Sequence, residues 1–174
     1  FTTIAANSGA GLGNLVYDPA NAQFFVSDLD TGLIDRLAAD GVIIDTFDHG
    51  VTGRPTHELA PVADDGSKMA VTDPAFNSED PATWGFTPAE RRVYGLAVHG
   101  GRLYYAVASQ VWSVRINADG SFGTARWELD VADLPSNNEI ASIAFDPQGK
   151  MLLAQRGPQA GSYDYSVFAA AKTS

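Results

Sequence analysis

Apolar positions along this chain come in short runs separated by polar turns, and the arrangement is stated three times. Leu12–Gly41, Val93–Gly120 and Ile140–Phe168 each read as an apolar strand, a turn, a second strand, a turn and a third strand. In the first copy, Leu15, Tyr17, Phe25 and Val26 belong to two runs around Asp18-Pro19-Ala20-Asn21. Such residues form turns that join antiparallel strands. A third run, Leu33–Leu37, is followed by the turn Ala39-Asp40-Gly41 and a fourth run, Val42–Phe47. Four strands in roughly 36 residues is the spacing of an all-β protein.

The second copy predicts strands over Val93–Val98, Leu103–Val107, Val111–Ile116 and Thr124–Val131, with turns at His99-Gly100-Gly101 and Asn117–Gly120. In the third, Ile140–Phe145 and Met151–Ala154 flank Asp146-Pro147-Gln148-Gly149, and Tyr163–Phe168 is expected as a further strand. Helix signals are poor: Gly and Pro recur throughout, and β-branched and aromatic residues fill the runs. The one helical turn expected is Pro88–Arg91.

Repeated four-stranded units predict β-propeller blades. The expected fold is therefore all-β, with about three antiparallel blades visible, forming part of a six-bladed propeller. The blades are placed at 12–47, 93–131 and 140–174, with a connector over 48–92. Three blades do not close a ring, since propellers have roughly four to eight. The remaining blades are expected on the same precursor, on another chain or on a second copy. Phe1–Ala6 is expected to serve a neighbouring blade or to complete the third.

Val16-Tyr17-Asp18-Pro19, Phe24-Phe25-Val26-Ser27-Asp28, Thr31-Gly32 and Asp40-Gly41 resemble the NHL repeat. Leu96–His99 with Leu103–Ala106, and Ile143–Pro147 with Met151–Ala154, fit the same frame. The resemblance extends more loosely to gluconolactonase-like and streptogramin-lyase-like propellers. The second copy departs from it with Ala108 and Ser109 where the repeat has Asp, and the third with Gln155 and Arg156. The resemblance implies either a non-catalytic binding propeller or a metal-dependent hydrolase or lyase. In the latter, carboxylate, amide or histidine ligands stand at the channel mouth.

Composition narrows this picture. The 174 residues are 45% hydrophobic, enough for a core, and contain no cysteine, which excludes disulfides and thiolate metal sites. A net charge of −10 offers no basic footprint for nucleic acid. No apolar run approaches the roughly 20 residues of a membrane-spanning helix, so no membrane span is expected. The chain opens at Phe1 and not at Met, which suggests a processed or trimmed start and an extracellular or periplasmic protein.

Candidate chemistry falls on one end of the blades. The strand starts Asn14, Tyr94 and Glu139 map there, as do the middle turns carrying Asp28, Asp30 and Arg156. The connector joins them, with about 45 residues where a few suffice, and such loops are usually functional or disordered. An ordered cap is expected, anchored by Phe76, Trp84 and Phe86. Its His57-Glu58 pair suits metal ligation or acid–base work, although neighbouring residues need not point the same way. Glu139, Asn14 and His57 are the candidate metal ligands, for a divalent cation such as calcium. Asp28–Gly32 places oxygens at alternating positions like a calcium loop, but lacks the third acidic residue and the distal glutamate, and its alignment with the NHL repeat explains Asp28 and Gly32 as turn residues. Asp64, Asp65 and Asp73 are read as solvated surface. His99 maps to the opposite end, which excludes a site built from the chain's three histidines. The functional expectation is a binding module of a larger secreted bacterial protein, with a protein or glycan ligand; the alternative is the metal-dependent hydrolase or lyase.

Overall fold

The computed structural model describes residues 11–68, 70–77, 83–131 and 139–155. They form three antiparallel sheets in chain order. The first holds β1 (Leu12–Asp18), β2 (Gln23–Asp28), β3 (Leu33–Ala38) and β4 (Ile43–Asp48). The second holds β5 (Val93–His99), β6 (Arg102–Val107), β7 (Gln110–Ile116) and β8 (Phe122–Asp130). The third pairs β9 (Ile140–Phe145) with β10 (Met151–Gln155). The all-β expectation and the four-stranded antiparallel unit are thus observed. Tyr163–Phe168, Phe1–Ala6 and Arg156 lie outside the described residues.

Turn chemistry sets the strand boundaries. Asp18 accepts the Ala20 N–H at 3.1 Å and the side-chain amides of Asn21 and Gln23 at 2.8 and 2.9 Å. Asp146 does the same in the third sheet, accepting the N–H groups of Gln148 and Lys150 at 2.8 Å. Such aspartates compete for backbone donors and so favour turns.

The sheets meet along their first strands. β5 packs beside β1 on one side and β9 on the other. The three run in the same direction: Gly13 lies by Val93, Gly95 by Ile140, and the rings of His99 and Phe145 stack at 4.2 Å. A side chain would be tightly opposed where these backbones approach. A β-carbon on Gly95 would stand 3.1 Å from the Ile140 carbonyl oxygen and 3.2 Å from the Ser142 nitrogen. One on Gly13 would stand 3.2 Å from the Val93 carbonyl oxygen.

Between the first and second sheets lies a core of Phe25, Ile34, Phe47, Leu96, Leu103, Tyr105, Trp112 and Val114. Between the second and third lies a smaller one, of Ala97, Ala106, Val111, Ile140 and Ile143. At the far end Gln23 donates to the Gly120 carbonyl at 3.1 Å and Arg36 to the Asp119 carbonyl at 2.9 Å, tying the first two sheets together.

Each first strand carries a one-residue bulge at its starting end. Leu12 and Leu15 oppose Asp28 and Val26; Val93 and Leu96 oppose Val107 and Tyr105; Ile140 and Ser142 oppose Gln155 and Ala154. In every sheet the first strand spends one residue more than its partner, leaving that residue outside the ladder.

Gly95→Val is expected to lower stability by roughly 1–3 kcal/mol, because the added carbons meet backbone and not a flexible side chain. Urea denaturation checks this; an unshifted midpoint contradicts the close approach of β5 and β9.

Candidate functional site

The bulged ends of β1, β5 and β9 coincide with the finishing ends of β2, β6 and β10. Buried polar side chains gather there: Ser27, Asp28, Asp30, Thr87, Ser109 and Glu139. Of the sequence-derived candidates, Asn14, Asp28, Asp30, Tyr94 and Glu139 fall at this end, with different roles.

Tyr94 and Glu139 come together. Tyr94 sits in the β5 bulge, and its hydroxyl donates to Glu139 Oε1 at 3.3 Å, both side chains being buried. Asn14 sits in the β1 bulge, where its N–H donates to Ser27 Oγ at 2.8 Å and its Oδ1 accepts the Leu15 N–H at 2.7 Å. Ser27 Oγ in turn donates to the Tyr94 carbonyl at 3.3 Å, linking the two bulges. Ser27 was not singled out in the sequence, where a strand serine carries no signal of a cross-sheet partner.

Asp28 serves its own turn, accepting the Asp30 N–H at 2.9 Å and the Thr31 hydroxyl at 2.8 Å. Gly32 closes that turn with a φ of 70° and an N–H to the Asp28 carbonyl at 2.8 Å. Local hydrogen bonding therefore accounts for the Asp28–Gly32 spacing. Asp30 is buried beside Gly11, whose absent β-carbon would fall 2.9 Å from Oδ2.

His57 and Glu58 go elsewhere. The connector opens with two helical turns, His49–Gly53 and Arg54–His57, which the sequence did not announce. They set the His57 ring flat against Trp127 of β8, centroids 4.9 Å apart and planes at 4°, and edge-on to Trp112 of β7. Glu58 closes the second turn in the left-handed region with φ 59°. His57 is thus held on the outer strands of the second sheet, while Glu139 stands by the innermost one. Among the described residues no group of three or more His, Cys, Asp or Glu side chains is placed to hold a metal ion.

The connector is fastened at its two ends. Arg91, fully buried in the turn Ala89–Arg91, pairs with Asp48 at 2.8 Å and donates to the Val62 carbonyl at 3.1 Å. Arg54 reaches the Ala60 carbonyl at 2.8 Å. Thr87 donates its N–H to the Leu29 carbonyl at 3.4 Å and its hydroxyl to Asp64 at 3.1 Å, bringing the connector onto the candidate end. Asp65 and Asp73 cap turns through the N–H groups of Ser67 and Ala75. Trp84 packs edge-on to Phe86, over which Arg92 lies at 5.2 Å.

Two buried groups have displaced acidities. His49 is sealed among Tyr105 and Trp112, with Nδ1 3.0 Å from the Tyr105 hydroxyl. Burial, then the charges of Arg54 and Arg91, push it down to about 3, so it stays neutral. Asp35, in register between Val26 and Thr46, is pushed up to about 6 by burial and by the Asp28 carboxylate. Nothing in the strand pattern marks this residue, since a charged residue between apolar ones reads as solvent-facing.

Comparison with protein-family models finds none that matches this chain, and comparison with curated proteins finds no match either.

An acid whose folded pKa is raised adds stability in its protonated form. That contribution is complete below about pH 4 and is lost as pH rises through about 6. Asp35→Asn is therefore expected to raise stability at pH 8 by roughly 1–2 kcal/mol, discounted for solvent screening, and to change little at pH 4. Melting curves across this range check the sign. Arg91→Met is expected to cost roughly 2–4 kcal/mol by leaving Asp48 unpaired, and to speed proteolysis within residues 60–77. Unchanged cleavage there would separate Arg91 from the anchoring of the connector.

Proposed function

We propose that the three sheets are consecutive β-propeller blades. Their bulged end, carrying Asn14, Asp28, Asp30, Tyr94 and Glu139, is a non-catalytic binding face of a larger secreted bacterial protein. The observation that carries this reading is the repeated bulge. Three first strands lie side by side in one direction, and each expels one residue from its ladder at the same end. Bulges at a sheet rim re-aim side chains and are frequent beside functional sites. Here they deliver Tyr94 to Glu139 and Asn14 to Ser27. A carboxylate with a phenol suits a ligand rich in hydroxyl or amide donors, which is the chemistry of a glycan or a peptide backbone. The NHL-like wording of the strands points the same way.

The metal-dependent hydrolase or lyase reading needs Asn14, Glu139 and His57 around one ion. The stacking of His57 on Trp127 favours the binding module instead.

Isothermal titration with neutral oligosaccharides and uncharged peptides tests the proposal. Saturable binding is expected, unaffected by a chelator, with Glu139→Gln and Tyr94→Phe each weakening it about tenfold. His57→Ala is expected to leave it unchanged. Calcium binding that Glu139→Ala abolishes would overturn the non-catalytic reading in favour of the metal-dependent one.

A further inference from the structure

The repeated sheet shows what packing alone asks of each position. By register, Asp28 and Asp35 of the first sheet correspond to Val107 and Trp112 of the second. Asp35 opposes Val26 as Trp112 opposes Tyr105, and Asp28 opposes Leu12 as Val107 opposes Val93. Val107 and Trp112 are 3% and 0% exposed and belong to the core. The first sheet keeps the same positions buried, at 6% exposed each, and fills both with carboxyl groups. Burial is less costly for apolar side chains, so two acids on one covered face call for a reason other than packing.

The two acids are held differently. Asp28 commits both oxygens to its turn: Oδ1 accepts the Asp30 N–H at 2.9 Å and Oδ2 the Thr31 hydroxyl at 2.8 Å. Asp35 stands diagonally across the β2–β3 ladder on the same face, a placement that sets side chains about 7–8 Å apart or less. Among the described residues no hydrogen bond or ion pair holds the Asp35 carboxyl. The other titratable groups on this face are Tyr17 of β1 and Asp48 of β4, and Asp48 is paired with Arg91. Asp28 is the one whose charge adds to burial in disfavouring an Asp35 carboxylate.

We infer that Asp35 is a proton sensor for the Asp28–Gly32 turn: protonated, it leaves Asp28 to hold the turn, and ionised, it sets a second buried charge against Asp28 and loosens that hold. Asp35 gives up its proton as pH rises through about 6, so the turn is tight below that value and looser above it. The change reaches beyond the turn. Leu29, at its middle, accepts the Thr87 N–H at 3.4 Å and donates to the Gly11 carbonyl at 2.6 Å. Gly32 lies against Arg91, whose carbonyl oxygen would stand 2.8 Å from a β-carbon there. The turn thus joins the connector to the end that carries Asp30. A weaker hold on ligand above about pH 6 follows only on the reading of that end as a binding face; the sensor itself does not rest on it.

Amide hydrogen exchange in the absence of ligand tests the sensor apart from that reading. After correction for intrinsic rates, the Asp30 and Gly32 N–H groups are expected to exchange about tenfold faster at about pH 7.5 than at about pH 5. Gln148 and Lys150, held by the comparable turn of Asp146, are expected to keep their protection. Asp35→Asn is expected to leave Asp30 and Gly32 slow at both pH values. In the unsubstituted chain, the carboxyl-carbon resonance of Asp28 is expected to shift as Asp35 titrates, a readout that needs no variant to fold. An equal change at both turns, a pH dependence that survives Asp35→Asn, or an Asp28 resonance indifferent to Asp35 would overturn the inference.

Discussion

The structure depends on how closely three strands can lie side by side. β1, β5 and β9 run in one direction with backbones near enough that a β-carbon at Gly13 or Gly95 would press on its neighbour. Glycine in a strand interior weakens the strand, so its presence there marks a close approach of another backbone. That approach brings the rest of each sheet against its neighbour. Large side chains then fill the space away from the line of first strands, with Trp112, Tyr105 and Phe25 all fully buried. Truncating a residue of that size costs roughly 3–5 kcal/mol. The glycines and the aromatics are thus two sides of one constraint: small where the strands converge, large further out.

The connector answers a second constraint. The core between the first two sheets ends at Phe47 and Trp112, and something must cover it. His49 does so as a neutral ring, meeting Trp112 edge-on at 4.7 Å, and His57 extends the aromatic stack to Trp127. Arg91 secures the return of the chain by pairing with Asp48, the last residue of β4. A buried guanidinium is tolerated only when paired and hydrogen-bonded, and the Asp48 carboxylate and the Val62 carbonyl provide this. The helical turns of residues 49–57 are therefore part of the core's closure as much as a loop over it.

Strand positions were legible in the sequence because aspartate, proline and glycine turns punctuate them. Ile140–Phe145 is observed as expected, and Val93–Val98 gains only His99. The pairing of Tyr94 with Glu139 was legible only as a shared end, since the repeat frame places both there without setting a distance. The bulges were not legible, because each lies within the first residues of its strand and leaves too short a run before it for the break in alternation to show. His57 was misleading for a physical reason: its partner is Trp127, seventy residues on, and not the adjacent Glu58. Asp35 was invisible because alternation assigns it to a face without saying whether that face is covered.

The bulges also explain how a regular scaffold can carry an irregular site. A residue paired in the ladder is constrained by its register and by both faces of the sheet. A residue expelled from the ladder is free of that register, so Asn14, Tyr94 and Ala141 can differ without shifting the strand, while Gly13 and Gly95 stay small beside a neighbouring backbone. The three bulges contain Gly13-Asn14, Tyr94-Gly95 and Ala141, while an apolar side chain follows within two residues of each, Leu15, Leu96 and Ile143. Chemical variety is thereby confined to one end of the sheets and packing uniformity to their middles. Recognition built on such an end requires no change in the core, and the Ser27 hydroxyl shows the coupling that remains: it holds the Asn14 bulge and the Tyr94 bulge to a common position.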